Sequence, residues 1–278
     1  MPVIHPYETR LCAFVDILGF RNLIEESAKR PDLAQQIRRI LWDVRDATPL
    51  WERDPPVDIL AAGFVAAGID SSEATVKAQE HVSRNSKKER GTTFSDSLVL
   101  SSILEERAVR NLVISLILLS QNVAKFGYYV RGGVCVGPLC HETDICFGPA
   151  LVSAYDLEKA GQYPRIVFDA EARRALDTAN ASGSLKLGFY LRQGGDGMTF
   201  LHFLGQAALH LLPEFSREHI SEIHWFLSRG LNSAVSKDAR VKCKLFWLAK
   251  YFNSCLDETK FDGMARFDME EVAKKLNL

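Results

Sequence analysis

An apolar run at residues 11–15 ends on an acid, Asp16, and is followed by Gly19 and then by a helical pattern. Such a run reads as a buried strand. Gly19 lets the backbone turn sharply where the strand gives way to the helix. A strand that ends in an acid, a glycine turn and a helix start sets amide hydrogens beside a carboxylate, an arrangement suited to a polyphosphate.

A second acid has a similar setting. Asp96 sits between Thr92, Thr93 and Phe94 on one side and Leu98, Val99 and Leu100 on the other, two β-rich runs flanking small polar residues, as at a hairpin tip. On neighbouring strands, Asp16 and Asp96 would face each other. Magnesium or manganese is usually held by one or two carboxylates, with phosphate oxygens and water completing the shell. Paired ions can activate a hydroxyl and stabilise a departing oxygen. A lone aspartate at a strand end is more often a turn or cap residue; two in matching settings favour the metal reading.

A third stretch carries Arg131, Gly133, Gly137 and Pro138, then Phe147 and Gly148, then Leu157 and Glu158. In this order the three stretches resemble the catalytic domain of class III nucleotidyl cyclases over roughly residues 8–170. Asp16 to Phe20 resembles that family's first metal motif and Ser95-Asp96 its second. Arg131 to Pro138 resembles its Arg-x-Gly-x-x-x-Gly-Pro strand. The wording is most similar to the bacterial pyrimidine cyclases of the Pycsar anti-phage systems, which make cyclic UMP or cyclic CMP. Purine cyclases carry a base-reading Lys or Glu four residues before the second acid, where this chain has Thr92. They carry an Asn and an Arg on the next helix, where this chain has Val152 and Asp156.

The resemblance implies a fold and a site. The fold is α+β, a ferredoxin-like sheet with helices on one face; taken with the strand and helix spacing beyond residue 170, it is expected as a catalytic domain over residues 8–210 and a helical extension over 211–278. Two Mg2+ or Mn2+ ions would be held by Asp16, Ile17 and Asp96. The phosphates would rest on the backbone of Ile17, Leu18, Gly19 and Phe20. Thr92, Asp144 and Ile145 would choose the base, and Arg131 or Arg165 would meet the charge that develops on phosphorus. The site would lie between the subunits of a head-to-tail homodimer. The product would act on a separate cyclic-nucleotide-sensing effector. Three readings stay open: a pyrimidine cyclase leaning to UTP, a purine cyclase with an unusual pocket, and a non-catalytic nucleotide-binding module.

Composition adds bounds. The 278 residues are 47% hydrophobic with a formal net charge of -1, enough for one substantial core and without the basic excess of a nucleic-acid partner. The apolar runs are too short to span a bilayer. Residues 1–6 lack a basic region followed by an apolar stretch, so no signal peptide is read and a cytoplasmic protein is expected. Of six cysteines only Cys140 and Cys146 cluster, with His141, and a zinc site would want paired spacing and a fourth ligand.

The spacing of apolar residues predicts helices from Pro31 through Val44, over 105–124, from Gly148 onward and over 170–178. Strands are expected at 128–136, 165–168, 189–192 and 198–204, with a hairpin through 138–144. Residues 54–90 read as an insertion, part helix and part loop, whose basic run at 84–90 is either a solvated face or a cover for the triphosphate. In the strand at 128–136, Gly132 and Gly133 mark either packing against a helix or a substrate contact. Helices resume beyond Pro213, where Trp225 and Trp247 are core or dimer contacts.

Overall fold

The computed structural model describes residues 6–45, 61–62, 64–65, 68–86, 89–94, 97–142, 145–179, 186–211, 217–259, 261 and 263–278. The apolar run lies in β1 (Glu8–Ile17), which leads through Gly19 into α1 (Phe20–Ser27) and α2 (Pro31–Arg45). After α3 (Ser71–Ser86) come the hairpin strands β2 (Glu89–Phe94) and β3 (Ser97–Ile103), then α4 (Glu106–Ala124) and β4 (Val130–His141). Next are the short β5 (Cys146–Phe147), α5 (Pro149–Ala160), β6 (Ile166–Phe168) and α6 (Ala170–Ala179). The sheet is completed by β7 (Leu191–Gln193) and β8 (Thr199–Leu201). A one-turn helix α7 (Gln206–Leu209) precedes α8 (Arg217–Ser233), α9 (Ala239–Glu258) and α10 (Met269–Leu276).

The strand order is β2-β3-β1-β4-β6-β8-β7, with β5 paired to β4. Both neighbours of β1 run antiparallel to it, whereas β6 is parallel to β4. A strand, a helical crossover, a hairpin, a second helix and a returning strand beside the first make the split β-α-β arrangement of ferredoxin-like folds. The α+β expectation therefore stands.

Alternation along β1 sorts its side chains into two layers. Leu11, Ala13, Val15 and Ile17 are buried in one core with Val109, Leu112, Val113, Leu116 and Ile117 of α4 and with Leu33 and Ile37 of α2. Cys12 belongs to a second cluster, with Val99, Cys135, Leu139, Ala150 and Ala154. Most helices line the first face, as expected. Helix α5 is the addition, closing the opposite face.

Gly133 makes that closure possible. A Cβ there would lie 2.2 Å from the Ala154 carbonyl oxygen and 2.9 Å from the Glu158 nitrogen, so the backbone of α5 rests directly on β4. Of the two readings of this glycine, packing against a helix is the one seen.

The C-terminal helices add to the main core rather than forming a separate one. Ile223 and Leu227 of α8 and Leu248 and Phe252 of α9 share it with the sheet. Trp247 is a core contact, edge-on to Phe200 at 5.5 Å and stacked on Tyr251 at 5.3 Å. Trp225 is exposed beneath the Arg229 guanidinium. Asp238 caps α9, accepting from the Val241 amide at 3.0 Å, and Asp268 caps α10 in the same manner.

Some boundaries move. Strand β4 continues through Pro138 to His141, because Cys140 and His141 pair with Phe147 and Cys146 of β5. Residues 187–190 form a 3-10 turn instead of a strand. Strand β8 stops at Leu201, beyond which the Tyr251 hydroxyl accepts from the Leu204 amide and meets His202 Nδ1, both at 3.1 Å. In the insertion, the polar part is the helix α3; most of its apolar part and the side chains of the basic run at 84–90 lie outside the described residues. Among the described residues, no helix is long and apolar enough to cross a membrane.

Replacing Gly133 with alanine should force α5 off the sheet, with a loss of about 3 kcal/mol. Urea unfolding checks this as a fall in midpoint at unchanged slope.

Candidate functional site

Asp16 is the next-to-last residue of β1 and lies on the α5 face of the sheet, about one-fifth exposed. The register puts Ser97 of β3 directly across from it on one side and Arg131 of β4 on the other. Ser97 follows Asp96 in the sequence; Asp96 itself lies outside the described residues. The backbone thus carries the segment that holds the second acid to the strand end that holds the first.

Arg131 joins this end of the sheet to α5. Its Nη2 is 3.8 Å from Asp16 Oδ2, while its Nε is paired with Glu158, whose side chain is almost fully buried. Burial pushes the Glu158 carboxyl above the usual range, and the guanidinium pulls it part of the way back. Glu158 entered the sequence reading only as part of a motif. The structure makes it the group that fixes where Arg131 sits.

Beyond Arg131 opens a cavity of about 670 Å3 between α5 and the start of α9, lined in part by Lys159, Arg240 and Lys244. Its basic character was not legible in the sequence, because Lys159 and the cationic residues of α9 lie more than eighty positions apart.

The glycine turn behaves as expected at one position and differently at another. Gly19 has φ +78°, the left-handed conformation that favours glycine, and stands at the N-terminus of α1 without a side-chain cap. The Leu18 amide, by contrast, is taken by the Tyr129 carbonyl at 2.9 Å, which removes it from the donors expected to meet phosphate. The side chains of Ile17 and Phe20 are buried in the core, leaving only their backbone groups for a ligand.

Thr92 is held from behind. Its hydroxyl lies 2.9 Å from His141 Nε2, and His141 Nδ1 is 2.8 Å from the Ser101 hydroxyl, which accepts from Arg10 Nε at 2.9 Å. His141 and Arg10 are both buried. His141 thus serves a polar network instead of standing as an isolated member of the Cys140–Cys146 cluster.

Two expected site residues sit elsewhere. Arg165 is buried and committed to Asp196 on the far side of β6, with Nη1 3.1 Å from Oδ1 and with Tyr163, Phe200 and Trp247 around its guanidinium. That pairing holds the Asp196 carboxyl below its ordinary range. Ile145 is exposed in the β4–β5 turn, at the opposite end of β4 from Arg131. Asp144 lies outside the described residues.

The donors at the end of β1 suit a divalent cation. They are the hard oxygens of Asp16 and the Ile17 carbonyl, the type that Mg2+ and Mn2+ select. Among the described residues, no three His, Cys, Asp or Glu side chains converge in a cluster that could hold a metal.

No protein-family model and no curated protein matches the chain. Among solved structures it is similar to the adenylyl cyclase CyaB from P. aeruginosa, at 13% identity, 61% coverage of this chain, 81% of that chain and a TM-score of 0.36. It is also similar to a bacterial light-regulated adenylyl cyclase, at 14% identity, 80% coverage of this chain, 98% of that chain and a TM-score of 0.39.

Replacing Arg131 with methionine would strand the buried Glu158 charge, at a cost of about 3 kcal/mol near pH 7. Without the guanidinium the folded-state carboxyl titrates above its unfolded value, so the native state takes up a proton first as pH falls. The deficit should therefore shrink between pH 7 and pH 5, as read from urea midpoints against pH. A deficit independent of pH would contradict the role given to Glu158.

Proposed function

We propose that the chain is a nucleotidyl cyclase that converts a pyrimidine nucleoside triphosphate, UTP in preference to CTP, to its 3′,5′-cyclic nucleotide and pyrophosphate. One observation carries the reading. Asp16 stands next to the end of the central strand of a ferredoxin-like sheet, opposite Ser97, the residue that follows Asp96 in the sequence, on one side and Arg131 on the other.

In this reading the ribose 3′ oxygen attacks the α-phosphorus as the bond to the bridging oxygen of pyrophosphate breaks, and the hydroxyl proton leaves to solvent. Asp16, the Ile17 carbonyl and Asp96 would hold two divalent ions, which when bound lower the pKa of the hydroxyl and neutralise the departing oxygens. The amides of Gly19 and Phe20 orient the phosphates at the start of α1. Arg131, fixed by Glu158, sets a positive charge beside them. Ring closure joins two parts of one molecule, so orientation supplies much of the acceleration.

Thr92 reads the base. Arg10 Nε donates to the Ser101 hydroxyl; in the tautomer this reading requires, that hydroxyl donates to His141 Nδ1 and His141 Nε2 donates to the Thr92 oxygen. That leaves the Thr92 hydrogen to donate outward. A donor suits the O4 carbonyl of uracil and not the amino group of cytosine.

On the resemblance to Pycsar cyclases, we propose that the product serves second-messenger signalling against phage, in the cytoplasm, through a separate effector. A head-to-tail homodimer is part of the same reading. Its support is the exposed apolar set of Ile145, Phe147, Val152 and Tyr155 on and before α5.

With manganese present, the purified protein should release pyrophosphate from UTP, less from CTP, and none after Asp16→Ala or Asp96→Ala. Release from ATP or GTP alone would replace the pyrimidine assignment, and binding without release would make the chain a non-catalytic nucleotide module. Thr92→Val should raise KM for UTP about tenfold, the effect of one lost hydrogen bond, and erase the preference over CTP. Steady-state kinetics on both substrates reads this out.

A further inference from the structure

The cavity between α5 and α9 contains a charge imbalance that the sheet's own ion pairs do not absorb. Four of its lining residues are cationic, Arg131, Lys159, Arg240 and Lys244, against one acid, Asp238. Arg131 is shared between Glu158 and Asp16. Lys159 stands over the Tyr155 ring at 4.0 Å, and the exposed Arg240 is 3.9 Å from Asp238.

Lys244 is the informative one. It is half-buried and makes no ion pair within 4.0 Å among the described residues. Burial pulls its pKa down and the neighbouring Arg131 adds to the fall, against a smaller upward pull from Glu158 and Asp238. An ammonium held out of water beside a guanidinium is costly unless an anion joins it. The first turn of α9, through Ala239, Arg240 and Val241, lines the same space, so the positive end of a twenty-residue helix adds to the attraction. Asp238 caps that turn, accepting from the Val241 amide at 3.0 Å and also meeting the Arg240 amide.

We infer that this cavity is a binding site for an oligophosphate, gripped by Lys244, Arg240 and Lys159 and continuous through Arg131 with the Asp16 strand end. The anion is the β,γ-phosphate tail of the nucleotide, an assignment that rests on the cyclase reading, whereas the anion site does not. The volume lies within the range of small-ligand sites. Helix α9 thereby gives the C-terminal helices a part in substrate binding, and pyrophosphate would leave through the same mouth.

Inorganic tripolyphosphate tests the site without turnover. In calorimetry with EDTA present it should bind the full-length protein, and Lys244→Glu or Arg240→Glu should each weaken binding at least about tenfold. Arg174→Glu, the same charge change on the exposed face of α6, should not. Tripolyphosphate should also slow alkylation of the exposed Cys243, which lines the cavity, as followed by mass spectrometry. Thermal unfolding monitors folding; Arg240 is exposed, so its variant carries the test should Lys244→Glu unfold.

Absence of binding, equal weakening by all three variants, or an unprotected Cys243 would overturn the site. The source of the anion is read from kinetics: both cavity variants should raise KM for UTP by more than they lower kcat. Charge-dependent tripolyphosphate binding with KM unmoved would overturn the nucleotide-tail assignment and leave the cyclase reading standing. The same binding with no triphosphate turned over would remove the cyclase reading and leave the anion site.

Discussion

The position of β1 between two antiparallel partners is the constraint on which the rest of the structure depends. Because side chains alternate along a strand, its register divides an apolar row, Leu11, Ala13, Val15 and Ile17, from the row that ends on Asp16. A slip of one residue would send Asp16 into the core against α4 and turn the apolar row toward α5. The hydrophobic effect of burying that row therefore also decides where the carboxylate points. Pairing with β3 brings in the segment after Asp96, and pairing with β4 brings in Arg131.

The second face of the sheet is organised by a close approach. Helix α5 reaches β4 because Gly133 has no side chain, and this contact lowers Glu158 into a buried position where it meets Arg131. A buried carboxylate is stable only with its partner, so the pair fixes the guanidinium at the boundary between Asp16 and the basic cavity. Packing, charge and the geometry of the site are here one set of contacts. Arg165 shows the contrary case: a more deeply buried guanidinium, surrounded by three aromatic rings and paired to Asp196, that ties the sheet edge together.

The polar network behind Thr92 depends on the same alternation. Arg10 and Ser101 project from neighbouring strands onto the α5 side, where β4 brings His141 over them. None of the three is close to the others in sequence, and each alone would be an unfavourable buried polar group. Their mutual hydrogen bonds make the burial tolerable and hold the Thr92 hydroxyl in a defined position.

Local sequence determined much of this. The apolar run of β1, the sharp turn at Gly19, the wide apolar stripe of α4 and the proline at the start of α2 all express preferences that act within a few residues, and so they were legible. Boundaries set by distant partners were not: β4 outran its expected end because β5 pairs with it, and β8 stopped short beside the Tyr251 hydroxyl of α9. The sequence also marked Asp16 and Arg131 as chemically notable, but it could not say that Arg131 would be held by Glu158 or that Arg165 would be committed to Asp196. Only the tertiary structure decided those pairings, and it alone gathered Lys159, Arg240 and Lys244 around one cavity. The physical reason is that electrostatic partnership depends on distance in space, and the folding of helices onto a sheet sets that distance independently of separation along the chain.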